Sequence, residues 1–226
     1  MDGDTAYALS ALAVSLRVAL GATALVLLPG VALGRLLARS DFPGKSAVET
    51  FVALPLVLPP TAVGYLVLRL FARDGPLGQR VLGFDPDVIL TWRGAVIASA
   101  AMALPLVART ARVAFEGVPA RLELMGRSLG LSRAQVLRRI TLPLARGGLA
   151  AAALLGFGRA LGEFGATVVV AGSIPGRTQT LSIAIFEDIQ LGRGGRALAM
   201  IGLSTLLAFA TVWSVEALLR SRRPAA

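Results

Sequence analysis

Residues 121–143 read RLELMGRSLGLSRAQVLRRITLP, a polar, arginine-rich stretch set between long apolar runs. Pro119 just ahead of it suits a first helical turn, and Gly130 supplies the left-handed residue that closes a helix. Ser132 then opens a second helix, with Gln135 three residues later to complete a capping box. Leu122, Met125 and Leu129, and then Val136, Leu137 and Ile140, recur at helical spacing, so each piece has one apolar edge. Arg121, Arg127, Arg133, Arg138 and Arg139 occupy the other faces. Pro143 marks where the second helix should break or restart. The stretch predicts a basic, water-exposed helical hairpin, too short to cross a bilayer, between two spans that do. Such an element is built to be touched.

Outside the hairpin the chain is apolar. Of its 226 residues 55% are hydrophobic and 16% charged, and the mean hydropathy is +0.73, far from a soluble domain. Five runs reach the roughly 20 residues that a membrane helix needs: Leu9–Leu37, Thr50–Phe71, Gly94–Phe115, Leu144–Val170 and Leu198–Leu219. The first is over-long and contains Pro29-Gly30, which predicts a kink or tilt. Arg17 in its outer part can snorkel to the headgroups. Gly30 and Gly34 form a GxxxG, either a close helix contact or a chance pattern in a Gly- and Ala-rich chain. Thr180–Gln190 stands as an open sixth, short or re-entrant helix, with Glu187-Asp188 arguing against its full burial. The fold expected is an all-α membrane protein of five, or with that segment six, helices.

The N-terminus, MDGDTAY, is acidic and lacks the basic start of a secretory signal, so the first run reads as a retained span. Positive charge then sets the orientation. Arg35, Arg39 and Lys45 fall on the hairpin's side, as do its flanking Arg109, Arg112 and Arg146 and the tail's Arg220, Arg222 and Arg223. The opposite side holds fewer: Arg73, Arg80, Arg93, Arg177, Arg193 and Arg196. The expectation is N-out, C-in, with the hairpin in the cytoplasm.

Two spans carry unusual residues. Ala53 to Gly64 reads ALPLVLPPTAVG, and Pro55, Pro59 and Pro60 leave backbone carbonyls without partners. In lipid those groups must find protein or water. The result is either a kinked packing helix or a broken helix beside a translocation path, with Pro59, Pro60 and Thr61 at the break. Pro105 is a weaker case. In the fourth span Arg159 and Glu163 stand four apart on one face. A lone charge at mid-membrane costs about 2.5–3.5 kcal/mol on insertion scales, so the two should pair and face the bundle. They read as a packing lock or as a gate. Gly156, Gly158, Gly162 and Gly165 strip bulk from their surroundings, and Thr167 follows. Downstream, AGSIPGRTQT (Ala171 to Thr180) is a polar turn-rich loop whose Arg177, hydroxyls and backbone donors suit an anion, as they would suit a plain exposed loop.

Several chemistries are disfavoured. The chain has no cysteine and no histidine, which removes disulfides, thiol and imidazole catalysis and zinc clusters. No metal site is expected. The net charge of +10 is distributed between apolar runs and not over a continuous surface, so no nucleic-acid partner is expected. Gly44-Lys45-Ser46 imitates the end of a P-loop, but Arg39 stands where its first glycine belongs and no strand precedes it. The chain reads as having no nucleotide site, no cofactor of its own and no enzymatic centre.

Gly130, nine residues, then Ile140-Thr-Leu-Pro143 is similar to the EAA-loop signature of the permease subunits of binding-protein-dependent ABC importers. Leu124-Met125-Gly126 stands where Glu-Ala-Ala is usual, with Glu123 one position early. Three further segments resemble molybdate permease subunits: LPLVLPPT from Leu54, RALGEFGAT from Arg159, and the AGSIPGRTQT loop. Sulfate and thiosulfate permeases share the Leu-Gly-Glu-Phe-Gly stretch.

The resemblance implies a type I ABC importer permease fold, one domain over residues 1–226, with a coupling-helix loop at 117–143. It implies a multi-pass protein of the cytoplasmic (inner) membrane that moves molybdate or tungstate by alternating access. Partners would be two ABC ATP-binding subunits holding ATP and Mg, an extracytoplasmic molybdate-binding protein and a second copy of this chain. Glu123, Gly126, Leu129, Gly130, Ile140, Leu142 and Pro143 would couple to the ATPase. Pro59, Pro60, Thr61, Arg159, Gly162, Glu163, Gly165 and Thr167 would line or gate the path. The alternatives are a sulfate or thiosulfate ABC importer permease, or a proton-coupled secondary transporter using Glu163.

Overall fold

A single helix, α1 (Gly3–Arg39), opens the chain and runs through Pro29 without interruption. It belongs to a computed structural model that describes residues 3–220. Arg222 and Arg223, two of the cations used to orient the chain, lie outside the described residues. From Arg17 to Arg39 α1 rises about 33 Å at 1.5 Å per residue, close to the ~30 Å hydrocarbon thickness. The part of α1 before Arg17 packs against the C-terminal part of the chain, with Ala11 in one buried cluster with Leu181, Ala184 and Met200.

The remaining elements are α2 (Lys45–Val57), α3 (Pro60–Phe71), the single turn α4 (Gln79–Leu82), α5 (Trp92–Glu116), α6 (Ala120–Ser128), α7 (Arg133–Val136), a π-helical turn (Leu137–Thr141), α8 (Leu142–Leu161), α9 (Gly165–Ala171), α10 (Leu181–Gln190) and α11 (Gly194–Arg220). Among the described residues four helical stretches are long and apolar enough to cross a membrane: Gly3–Arg39, Trp92–Glu116, Arg133–Leu161 and Gly194–Leu218. A fifth span exists only if α2 and α3 count as one, bent by 111°.

Packing follows the membrane rule that small residues let backbones approach. The core between α1, α5 and α8 is built from Ala19, Ala22, Ala103, Ala111, Ala145, Ala152 and Ala160 around Val107 and Phe115. The Gly30–Gly34 pattern is a real contact. A Cβ on Gly30 would lie 2.7 Å from a Val107 methyl, and one on Gly34 2.7 Å from the Ala108 carbonyl. A second core joins α3, α5 and α9 through Val63, Val67, Ala98, Met102, Ala166 and Val170.

Two expectations change. The fourth span stops at Leu161, nine residues before Val170, because Gly162 ends the helix and a new one starts at Gly165. The hairpin's second helix does not break at Pro143. The π-helical turn absorbs the donor that Pro143 lacks, and α7 continues into α8. The expectation that Glu187-Asp188 argues against full burial holds for α10 as a whole, which leaves Phe186 and Ile189 exposed, although Asp188 itself is fully buried. Arg196 makes this tolerable by gripping the carboxylate through Nε and Nη2, while its Nη1 donates to Asp4 at 3.0 Å and its guanidinium lies over Tyr7. The ten residues of α10 rise about 15 Å, too little to span.

Candidate functional site

The hairpin and the broken helices are the two places where backbone ends must be satisfied away from ordinary helix. In the hairpin the chain does this with its own residues. Gly130 has φ +84°, its N–H donates to the Arg127 carbonyl, and Leu131 N–H donates to the Gly126 carbonyl. These two bonds form a Schellman closure of α6. Ser132 and Gln135 complete the capping box reciprocally, Gln135 N–H to Ser132 Oγ and Ser132 N–H to Gln135 Oε1. Gly126 is buried beneath Ile140, whose Cδ1 would be 2.6 Å from any Cβ there. Gly126, Gly130 and Ile140 therefore shape the hairpin from within, while Leu142 and Pro143 start α8.

Outward, the hairpin presents Leu124, Met125 and Leu129, the last 82% exposed, among exposed arginines. Glu123 points the other way. Its Oε1 accepts from Thr141 Oγ1 at 2.6 Å and lies 3.4 Å from Arg39 Nη2, which also donates to the Val118 carbonyl at 2.7 Å. Glu123 thus clamps the hairpin to the ends of α1 and α8. Thr141 and the clamping role of Arg39 were missed in the sequence because residues 39, 123 and 141 share no periodicity. The one available signal was that Thr141 lies inside Ile140-Thr-Leu-Pro143.

The second location is a junction of two breaks. Leu58 and Pro59 each precede a proline, which disfavours helical backbone. Both are extended (ψ 143° and 134°), with Pro60 starting α3. The break after Leu161 faces this one. A Cβ on Gly165 would lie 2.9 Å from Pro60 Cβ, and a Cβ on Gly64 2.8 Å from Ala166 Cα. Backbone meets backbone between α3 and α9. Glu163, 2% exposed, holds the second break: Oε2 accepts from Arg159 Nη1 at 2.7 Å, and Oε1 accepts from Ala166 N–H at 2.8 Å. Thr167 is buried and donates to the Phe164 carbonyl at 2.8 Å. Phe164 rests against Phe186 of α10, ring centroids 5.0 Å apart.

The structure therefore gathers all eight expected path residues into one region but sorts them. Pro59, Pro60, Thr61 and Gly162 are exposed at its surface; Glu163, Gly165 and Thr167 are buried; Arg159 lies between. In the single chain the buried three hold the joint together and do not line a surface.

Residues 30–224 match the family model described as the binding-protein-dependent transport system inner membrane component. The chain belongs to this family. The permease is 42% identical to the molybdenum transport system permease protein ModB of Escherichia coli K12, over 86% of each chain. It is 35% identical to the sulfate transport system permease protein CysT of Salmonella typhimurium, over 71% of this chain and 58% of the other. Among solved structures it is similar to the inward-facing MetNI methionine ABC transporter, with a TM-score of 0.69 and 19% identity over 96% of this chain and 99% of that one. The type I ABC permease fold expected for this multi-pass membrane protein is thus present. At that identity the likeness concerns fold alone.

Proposed function

We propose that this permease carries molybdate, and with it tungstate, across the cytoplasmic membrane as the membrane subunit of an ATP-driven importer. The observation that carries the solute is the 42% identity with ModB over most of both chains. The shorter, weaker match to CysT keeps sulfate as the second reading. The orientation is N-out, C-in, which puts the hairpin in the cytoplasm. Two ABC ATP-binding subunits, which hold ATP and Mg, receive the exposed Leu124, Met125 and Leu129 of two copies of this chain. An extracytoplasmic molybdate-binding protein delivers the ion. Hydrolysis belongs to the partners and no cofactor is held here.

The geometry supports a specific transmission. From Arg133 to Leu161 the helix is continuous through the π-helical turn, a rod of about 43 Å that begins in the hairpin and ends at the junction. Because Glu123, Arg39 and Thr141 tie the hairpin to this rod, movement of the docked ATPases reaches Gly162 and the Glu163 joint directly. Any such coupling requires contacts that differ between the two nucleotide states. Selection of the dianion falls to the external binding protein, because a path that grips it tightly would not release it. The exposed apolar faces of α2 and α11, which include Phe51, Val57, Phe209 and Trp213, are left for the second copy and lipid.

The test is ATP hydrolysis by the permease co-purified with its ATPase in lipid, with binding protein loaded with molybdate or with sulfate. Stimulation by the molybdate form, lost in Gly130→Ala, is the expected result. Stimulation by sulfate alone would change the cargo. Absence of any ATPase association would sink the importer reading and bring forward proton coupling through Glu163.

A further inference from the structure

On the side opposite the hairpin, a cavity of ≈ 220 Å³ opens between α1, the start of α5 and the AGSIPGRTQT loop, with Arg17, Trp92, Arg93, Arg177 and Thr178 among its lining. We propose that it binds a tetrahedral oxyanion, held by the guanidinium groups of Arg17 and Arg177 and the Thr178 hydroxyl.

The charge balance points there first. Asp87, which also lines the cavity, is paired with Arg93 at 3.2 Å. Arg17 and Arg177 have no carboxylate partner among the described residues. Two uncompensated cations therefore face one small space, and a dianion is their natural complement.

One of the two cations is also placed. The Arg17 guanidinium stacks on Trp92, its Cζ 3.9 Å from the ring centroid. Stacking fixes the plane of the fork while leaving its N–H edge free for oxygen atoms. Thr178 is 1% exposed, and its Oγ1 accepts from Ile174 N–H at 3.0 Å, so its own proton remains to be given. The 25-residue helix α5 begins at Trp92 and adds the positive end of its dipole. Asp87 and Leu90, the positive-φ non-glycine residues among those described (51° and 58°), both line this cavity, and such backbone persists only where its surroundings hold it.

The position allows two sources of the same chemistry. Arg17 is exposed in the outer part of the first apolar run, where an arginine snorkels to the headgroups, so both a lipid phosphate and a free oxyanion reach it. Molybdate as the free ion rests on the transport reading above; the lipid alternative does not.

The full chain, purified in detergent, is dialysed to equilibrium against labelled molybdate. Retention of phosphatidylglycerol is read in parallel by native mass spectrometry. In Arg17→Gln/Arg177→Gln, molybdate affinity should fall about tenfold or more, since each charge-assisted hydrogen bond contributes on that scale. Loss of molybdate binding with lipid retained assigns the site to the free ion. Loss of phosphatidylglycerol with molybdate unchanged assigns it to lipid phosphate. Unchanged binding of both overturns the proposal. Arg177→Gln alone, on an exposed loop position, keeps the test informative if the double variant does not fold. Neither readout involves an ATPase, so failure here and failure of the importer reading are separable.

Discussion

The hairpin and the junction of broken helices both leave helix ends without continuing backbone, and they satisfy them in opposite ways. The hairpin closes α6 with a glycine turn and opens α7 with a neutral Ser132–Gln135 box, all at the surface. The junction closes its break with one buried carboxylate that serves Arg159 and Ala166 at once. A surface cap of this kind contributes about 1 kcal/mol, and water replaces it when it is lost. A buried charge has no such replacement. The hairpin is thus a self-contained handle that tolerates being gripped, while the junction is a joint whose stability rests on a few atoms.

The largest expected effect comes from removing the carboxylate. Glu163→Ala leaves Arg159 and the Ala166 N–H unpaired within the apolar span. It should lower the unfolding free energy of the purified chain by about 3 kcal/mol. Arg159→Gln/Glu163→Gln keeps both hydrogen bonds available without charge and should recover most of this, a non-additive result. A double variant as unstable as Glu163→Ala would mean that the pair does not hold the joint. If the neutral pair assembles but uptake fails, the pair gates as well as packs.

Next is the backbone contact across the joint. Gly64→Ala places a methyl 2.8 Å from Ala166 Cα and its carbonyl oxygen, atoms that cannot swing aside, and overpacking of this kind costs about 1–3 kcal/mol. Gly162→Ala is the matched control. Its Cβ would meet only the Gly158 carbonyl, at 3.8 Å, and its φ is −85°, so thermal unfolding should be nearly unchanged. Equal losses in the two variants would mean that α3 and α9 are not in backbone contact.

How legible each region was follows from the range of its interactions. The hairpin's caps lie within five residues of one another, so Gly130, Ser132 and Gln135 declared their roles in the sequence. Pro143 misled because a proline announces a missing donor and not how the chain responds; here the π-helical turn keeps the rod intact. At the junction Pro59-Pro60 announced one break, and the i, i+4 spacing of Arg159 and Glu163 announced the pair. The second break was hidden, since Gly162 and Gly165 sit in an apolar run where glycine equally marks close packing. That the two breaks abut depends on contacts a hundred residues apart, such as Gly64 with Ala166, which no local pattern carries. The same holds for Arg39 with Glu123, and for Arg196, whose partner Asp188 is eight residues away across a turn.

The smallest effect on stability should accompany a large effect on function, and it separates handle from joint most sharply. Leu129 is the most exposed of the hairpin's large apolar side chains. It is the C-cap residue of α6 and its N–H donates to the Met125 carbonyl, a backbone bond that any side chain at this position keeps. Leu129→Ser should leave unfolding within about 0.5 kcal/mol of the parent, because the side chain is exposed, its φ is −83° and the capping bond at this position is made by the backbone. If the ATPase receives this face, the substitution removes an apolar anchor from an interface centre, where such residues carry most of the binding energy. Co-purification with the ATPase should then weaken, and stimulated hydrolysis should fall, in a permease as stable as before. Glu123→Gln makes the converse case, since it loosens the clamp on Arg39 and Thr141 without altering the exposed face. It should leave ATPase association intact and reduce only the coupling of hydrolysis to transport. If Leu129→Ser left association unchanged while Glu123→Gln abolished it, the docking surface would lie on the carboxylate side of α6, and the division between outer face and inner clamp would be wrong.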